Sequence, residues 1–194
     1  MGTPGRIFIY LFALLSLTVN SQNSVMKRAL LLIDIQDFYF PGGKSELKDP
    51  ELASSNAYLV LDTFRDNAET IVFIKHNYKP GGEIHHSVEP ASFEKVITKD
   101  NINAFIGTGL DKFLKGEKIE ALVICGMQTH MCVEAATRAA SDLGYKCTVI
   151  HDACTTRDLK FEEIIVKARD VHLSTLSTLK SYAKIISTEE FIEN

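Results

Sequence analysis

Residues 119–134 read IEALVICGMQTHMCVE, and this stretch joins a buried strand to a helix. An apolar run breaks at Gly126, and a helical pattern of apolar residues follows. We predict Thr129 as the N-cap of this helix, which places Cys132 on the first turn. Free N–H groups and the positive dipole end there favour an anion, so a thiol pKa below the usual value of about 8.5 is expected. The alternative is an ordinary buried core cysteine.

The same alternation of apolar runs and helical patterns continues on both sides of this stretch. It is typical of an α/β fold in which helices cover both faces of a parallel sheet. The predicted strands are Ala29–Asp34, Thr70–Lys75, Glu94–Lys99, Ile119–Cys125, Tyr145–Ile150 and Ala183–Ser187. The predicted helices are Pro50–Asn67, Gly107–Leu114, Thr129–Leu143 and residues 160–180. Ligands of such sheets bind at the carboxyl ends of the strands.

Composition indicates one soluble domain with ordinary charge. The chain has 194 residues, of which 45% are hydrophobic and 24% charged, and its net charge is −4. No basic block is present, so nucleic acid is not expected as a partner. The four cysteines fit neither a zinc spacing nor a C-x-x-C redox motif, and we expect free thiols of which only Cys132 is reactive. They are Cys125, Cys132, Cys147 and Cys154.

The first 24 residues have the pattern of a cleaved signal peptide. Arg6 precedes the apolar stretch Ile7–Val19, and small polar residues follow at 20–24. That stretch is too short to span a bilayer comfortably, so the mature form is not expected in a membrane. The expected location is therefore periplasmic or secreted, with the folded domain at residues 27–194. The alternative is a cytoplasmic protein that starts at Met26.

Three reactive side chains fall at predicted strand ends. Asp34, Lys99 and Cys132 would bring a carboxylate, an ammonium and a thiol to one edge of the sheet. Asp34 is predicted to take the thiol proton, to pass it to a leaving amine and then to activate water. Lys99 would hold Asp34 and favour the thiolate. Backbone N–H groups of Gln128 and Cys132 are candidates for an oxyanion hole.

These residues resemble the isochorismatase-like cysteine hydrolase superfamily from about Ala29 to Ile192, on the branch that contains streptothricin hydrolase. The matching stretches are IDIQDFYFPGGK (33–44), GEIH (82–85), ITKDNINAF (97–105), GMQTHMCV (126–133), TRAA (137–140) and DACTT (152–156). The resemblance implies a three-layer sandwich around a six-stranded parallel sheet, and a triad of Asp34, Lys99 and Cys132. It also implies a cis peptide bond at Met127–Gln128 and a homo-oligomer.

The retained cysteine favours hydrolysis of a C–N bond in a small amide, lactam or ureido compound through a thioester, with no cofactor. Four further residues are predicted to contact substrate: Gln36, Tyr39, Phe105 and His130. One alternative is a metal-containing amidase of the nicotinamidase type. The Asp-x-His element of that type is missing here, and only His85 and His86 remain as candidate ligands, so no metal site is predicted. The other alternative is a catalytically silent binding protein on the same scaffold.

Overall fold

A computed structural model describes residues 1–2 and 26–193 of the chain. The predicted signal peptide at residues 1–24 lies almost wholly outside the described residues. The strands are β1 (Arg28–Ile33), β2 (Thr70–His76), β3 (Lys95–Lys99), β4 (Ala121–Met127), β5 (Lys146–Thr155), β6 (Leu159–Phe161), β7 (Ile164–Val166) and β8 (Ala183–Ile186). The helices are α1 (Pro50–Asp66), α2 (Leu110–Gly116), α3 (Glu134–Asp142), α4 (Ala168–Leu179) and α5 (Thr188–Ile192).

Six parallel strands form the central sheet in the order β3-β2-β1-β4-β5-β8. Helix α1 packs with α5, and α3 packs with α4, so that helices cover the sheet in a three-layer α/β sandwich. The core strand β1 is buried almost throughout, as the continuous apolar run predicted. This confirms the predicted fold class.

The strand order reverses direction between β1 and β4. Starting from β1, the chain first adds β2 and β3 on one side and then returns to place β4 on the other. In open α/β sheets, the carboxyl ends of the two strands at such a reversal border a crevice. Asp34 directly follows β1, and the turn that carries Cys132 directly follows β4. The topology therefore brings these two residues to the same crevice.

Gly126 allows β4 to lie unusually close to β1. It pairs with Ile33, and a Cβ atom at this glycine would collide with the Ile33 carbonyl oxygen. Its φ of +127° is also outside the range that other residues adopt easily. Asp34, the residue that directly follows β1, has a φ of +50°. Such left-handed geometry is uncommon for a residue with a side chain and concentrates at functional sites.

Residues 160–180 are not one long helix, and that prediction was wrong. A two-stranded hairpin, β6–β7, occupies the first part, and α4 begins only at Ala168. Ile164, Ile165 and Val166 are three consecutive β-branched residues, which favour a strand over a helix. Helix α2 is likewise shifted from the predicted 107–114 to 110–116. Within the described residues, no helix has the length and apolar character needed to cross a membrane.

Candidate active site

Lys99 lies at the centre of the predicted trio. Its Nζ is 2.8 Å from Asp34 Oδ2 and 3.3 Å from Cys132 Sγ. It also contacts His76 Nδ1 at 3.0 Å and the Asn101 carbonyl oxygen at 3.1 Å. The structure thus brings the carboxylate, the ammonium and the thiol within contact of one another. The side chain of Lys99 reaches across β2 to do so, because β3 is two strands away from β1.

The cluster is almost closed to solvent. Asp34 is fully buried, Lys99 is 1% exposed and Cys132 is 4% exposed. A cavity of about 320 Å³ borders Thr156 nearby, but none of the three residues lines it. Charges held in such a low-dielectric environment interact more strongly than they would in water.

Unsatisfied polar atoms are concentrated here. Among the described residues, three buried side-chain polar atoms have no hydrogen-bond partner: both carboxylate oxygens of Asp34 and Oε1 of Gln128. Oδ2 is nevertheless paired in charge, because Lys99 Nζ lies 2.8 Å from it, and both Lys99 and the Cys132 thiol lower the pKa of this carboxyl. Buried polar atoms without hydrogen bonds are rare in folded proteins, and they destabilise the folded protein when no ligand is bound. Asp34 is therefore free to accept a proton.

The expectation of an acidified Cys132 thiol was wrong. Burial and the negative charge of Asp34 raise the pKa of Cys132 to about 12, and the opposing effect of Lys99 is smaller. Burial also raises the pKa of Asp34 above its usual range, although Lys99 lowers it. The sulfur is thus a neutral thiol at rest, next to a carboxylate whose affinity for a proton is increased.

The local structure explains in part why the pKa of Cys132 is not lowered as expected. Residues Thr129–Val133 form a π-helical turn, and the α-helix proper starts only at Glu134. Thr129 does not act as an N-cap, because its Oγ1 is 2.8 Å from His172 Nδ1. Cys132 therefore lies before the α-helix rather than on its first turn. π-Helical turns inside helices are frequent at functional sites.

Gln128 and Tyr39 lie together at the edge of the cluster. The Gln128 Nε2 donates to Tyr39 Oη at 3.2 Å, and both side chains are buried. Burial raises the pKa of Tyr39, so its hydroxyl keeps its proton. In the part of the chain that the structure describes, the backbone N–H of Gln128 meets no acceptor. The Met127–Gln128 peptide bond is cis, which confirms the feature implied by the resemblance.

Two of the predicted substrate contacts have other partners. The Gln36 Nε2 donates to the carbonyl oxygens of His76 and Gly82, and its Oε1 accepts the His76 N–H. With its amide fully used and its side chain buried, Gln36 holds the end of β2 rather than a substrate. Phe105 pairs with Tyr145, which precedes β5 at the opposite edge of the sheet. The two ring centroids are 6.3 Å apart, so the partner observed for Phe105 is another aromatic residue.

His130, which was also predicted to contact substrate, lies beside Thr156 and Arg157. It is half-buried, and its Nδ1 is hydrogen-bonded to Thr156 Oγ1. Burial and the positive charge of Arg157 lower the pKa of His130. A neutral imidazole is thus expected beside the crevice at neutral pH.

The histidines of the β2 region do not fit a metal site. His76 Nδ1 lies against the Lys99 ammonium, which repels a cation. His85 stacks on Phe40 and bonds Ser87 through Nδ1. Within residues 26–193, no three histidine, cysteine or acidic side chains converge in a way that could hold a metal ion.

Comparison with known proteins places this architecture in a family. A family model described as the isochorismatase domain matches residues 28–190. The isochorismatase family protein YddQ of Bacillus subtilis is 41% identical over 180 residues, which cover 87% of this chain and all of that protein. A streptothricin hydrolase of Streptomyces noursei is 31% identical over 142 residues, 68% of this chain but only 51% of that protein.

A solved structure agrees with this assignment. A crystal structure from Oleispira antarctica, assigned to the isochorismatase hydrolases, superposes with a TM-score of 0.83 at 41% identity. The match covers 87% of this chain and 97% of the other. The fold and the matched sequence therefore define a hydrolase built on a three-layer sandwich with a parallel sheet. More narrowly, the chain belongs to the isochorismatase family.

Proposed function

We propose that this chain hydrolyses a C–N bond of a small amide, lactam or ureido compound through a thioester on Cys132. Asp34 is the general base and acid, Lys99 positions both groups, and the N–H groups of Gln128 and Cys132 bind the oxyanion. The proposal is supported most directly by one observation. The Asp34 carboxylate and the Cys132 thiol flank the same lysine ammonium, with Nζ 2.8 Å from Oδ2 and 3.3 Å from Sγ.

Acylation begins with a proton transfer. Asp34 takes the proton of the Cys132 thiol as the sulfur attacks the substrate carbonyl carbon, and the negative charge moves to the carbonyl oxygen. The unpartnered Gln128 N–H is suited to bind that oxygen. When the C–N bond breaks, Asp34 gives its proton to the leaving nitrogen. A thioester remains on Cys132, and Asp34 is a carboxylate again.

Deacylation repeats these transfers with water. Asp34 takes a proton from a water molecule, whose oxygen attacks the thioester carbon. The C–S bond then breaks, and the sulfur recovers its proton from Asp34. The high pKa of the resting thiol is compatible with this cycle, because the transferred proton needs only a nearby acceptor during attack.

Ammonia release from a substrate panel tests the proposal. Small primary amides, lactams and ureido acids are incubated with the wild-type protein and with Cys132→Ala. We expect at least one compound to release ammonia or open its ring with the wild type only. If active compounds were turned over equally by Cys132→Ala, the sulfur would not be the nucleophile. If no C–N compound reacted while Cys132 labelled no faster than Cys125 or Cys147, the silent binding protein would be favoured.

We also propose that a second copy of this chain covers the β6–β7 hairpin. Phe161, Ile164 and Ile165 are more than half exposed there, which is unusual for adjacent large apolar residues. Light scattering of Ile165→Glu should show a smaller particle than the wild type. Leu143→Glu, at an exposed apolar residue elsewhere, is the control. If the wild type were monomeric, the proposed homo-oligomer would be wrong.

Export remains a proposal as well. The N-terminal residue of the protein purified from its native source distinguishes the two expectations. A start near residues 22–25 indicates a cleaved leader and an exported hydrolase. A start at Met26 indicates a cytoplasmic protein.

A further inference from the structure

His76 is a titratable residue in the cluster that the catalytic scheme does not use. It is the last residue of β2 and pairs with Lys99 in the register between β2 and β3. Its ring is half-buried, and its Nδ1 is 3.0 Å from Lys99 Nζ. Its backbone N–H and carbonyl oxygen are both bonded to the Gln36 amide. The buried Gln36 side chain therefore holds the backbone from which the His76 ring projects.

The contacts of Lys99 show what His76 can do. An ammonium group has three hydrogens and no acceptor. Donation to His76 Nδ1 and to the Asn101 carbonyl oxygen leaves one hydrogen for Asp34 Oδ2 and Cys132 Sγ, which lie 2.8 and 3.3 Å from Nζ. The first two acceptors thus set the rotation of the ammonium. The remaining N–H points to the space that the sulfur shares with Asp34.

We propose that His76 is a positioning residue for this hydrolysis: its neutral ring accepts a hydrogen bond at Nδ1 and keeps Lys99 directed at Cys132 and Asp34. This inference rests on the proposed function of the site. His76 touches neither the sulfur nor the expected substrate carbonyl, and it acts through Lys99. Gln36, in turn, holds His76 through its backbone.

The role requires the ring to be neutral. A protonated imidazole carries hydrogens on both nitrogens and cannot accept from Lys99, and it adds a second positive charge at contact distance. The charged groups that face His76 are Lys99, Asp34 and Asp100. Burial and Lys99 lower the pKa of His76, and the two carboxylates oppose this more weakly. The ring is therefore neutral at pH 7, and the hydrogen bond is lost as the pH falls through the lowered pKa.

Nuclear magnetic resonance of histidine-labelled protein tests the tautomer directly. The His76 signals are assigned by their absence in His76→Asn. We expect the neutral ring to carry its proton on Nε2, with Nδ1 accepting, and to titrate below the usual value of about 6.5. A proton on Nδ1 at pH 7, or a fully charged ring, would overturn the proposal. This experiment needs no substrate, so its result is independent of the proposed reaction.

Three variants test the effect on the reaction. His76→Leu removes the acceptor and should slow turnover about 10- to 100-fold, the range for one hydrogen bond to a charged group. His76→Asn keeps an acceptor at the position of Nδ1, so most of the turnover should return. Its pH profile should lack the inactivation caused by imidazole protonation. His151→Asn, a histidine on β5 with the same intermediate exposure, should behave as wild type.

The outcomes separate positioning from a structural role. Circular dichroism and thermal unfolding establish that each variant is folded. Wild-type turnover and pH dependence in folded His76→Leu would refute the proposal. A His76→Asn variant that is as slow as His76→Leu, and whose activity falls at low pH as in the wild type, would also refute it.

If the substrate panel yields no reaction, the rate at which iodoacetamide alkylates Cys132 is measured as a function of pH in place of turnover. This rate reports on Lys99, because Lys99 lowers the pKa of this thiol. An unchanged alkylation profile in His76→Leu would equally refute it.

Discussion

Cys132 and Cys147 are buried thiols at opposite edges of the same sheet. Cys132 follows β4 at the carboxyl edge, and Cys147 lies near the amino end of β5. Burial raises the pKa of Cys147 to about 11 and, together with Asp34, that of Cys132 to about 12. By resting acidity alone, neither thiol is favoured as a nucleophile, because burial raises both pKa values. Their neighbours distinguish them, since among the described residues Cys147 Sγ has hydrogen-bond contacts only with the carbonyl oxygens of Tyr145 and Thr137.

The comparison shows that a proton acceptor and a cation matter more here than an ionised thiol. Cys132 has Lys99 at 3.3 Å, and the same ammonium lies 2.8 Å from the Asp34 carboxylate. A thiol with a high pKa is intrinsically a strong nucleophile once its proton is taken. The carboxyl edge supplies an acceptor for that proton, and the amino edge does not.

The largest expected effect comes from removing each sulfur in turn. Cys132→Ala should lower turnover by about 10³-fold or more, as expected when a covalent nucleophile is lost. Cys147→Ala should retain turnover within a few-fold, because no charged group acts on that thiol. Initial rates of product release on the substrate found in the panel measure both. Equal losses of turnover in the two variants would show that Cys132 at the carboxyl edge of the sheet is no more important for the reaction than Cys147 at the amino edge.

The carboxylates of the two edges give the next comparison. Asp34→Asn keeps the shape of the side chain but removes the base, and a loss of about 10²- to 10⁴-fold is expected. Asp111, which accepts from Tyr145 next to Cys147, is the matched carboxylate at the amino edge. Asp111→Asn should leave turnover unchanged. If Asp34→Asn kept wild-type turnover, another group would have to be the base.

Alkylation should respond to Asp34 in the opposite direction. The negative charge of Asp34 raises the pKa of Cys132, so its removal should lower that pKa and increase the thiolate fraction at a given pH. Iodoacetamide should then label Cys132 faster in Asp34→Asn than in the wild type, by up to about tenfold per unit of pKa. Cys147 in the same sample should label at an unchanged rate. Peptide mass spectrometry over a pH series measures both thiols at once.

The pH dependence of turnover follows from the same groups. Asp34 must be a carboxylate to accept the proton, and burial raises its pKa above the usual range. Activity should therefore fall as the pH drops through this raised value, at a higher pH than for an exposed aspartate. The pH profile of kcat/KM measures the limb. His76→Asn has no imidazole to titrate at this position, so any loss of activity at low pH that remains in this variant is assigned to Asp34.

The smallest expected effect concerns stability at two glycines. Gly126→Ala should destabilise the fold by at least about 1–3 kcal/mol, because the position has a positive φ and a Cβ there meets Ile33. Gly116, at the end of α2, has open space around its missing Cβ. Gly116→Ala should be neutral or slightly stabilising. Urea unfolding of the two variants gives the difference, and a larger loss at Gly116 would contradict the close strand contact.

Much of the fold could be predicted because its signals are local. Continuous apolar runs mark β1 and β4, and glycine or proline marks the helix limits near residues 50 and 144. The hairpin at 159–166 was missed because residues 160–180 were predicted as one helix, which includes the apolar residues Phe161, Ile164, Ile165 and Val166. Those residues are exposed in the described structure, so their pattern does not report a buried face.

The candidate site was predictable only in part. Asp34 and Lys99 end predicted strands, the turn that carries Cys132 follows a third, and the topology brings such ends together. His76 was missed because strand β2 was predicted to end at Lys75. Extending the predicted strand by one residue would have placed His76 opposite Lys99. The thiol pKa was mispredicted because the sequence pattern gives the helix start but neither the burial nor the proximity of Asp34.

A common acyl intermediate is the most direct test of the account. A primary amide and the N-methylamide of the same acid are turned over in the presence of hydroxylamine, and the ratio of hydroxamate to acid is measured. If both pass through one thioester on Cys132, the ratio is the same for the two substrates at each hydroxylamine concentration. A ratio that depends on the leaving amine would contradict the thioester and, with it, the role assigned to the sulfur.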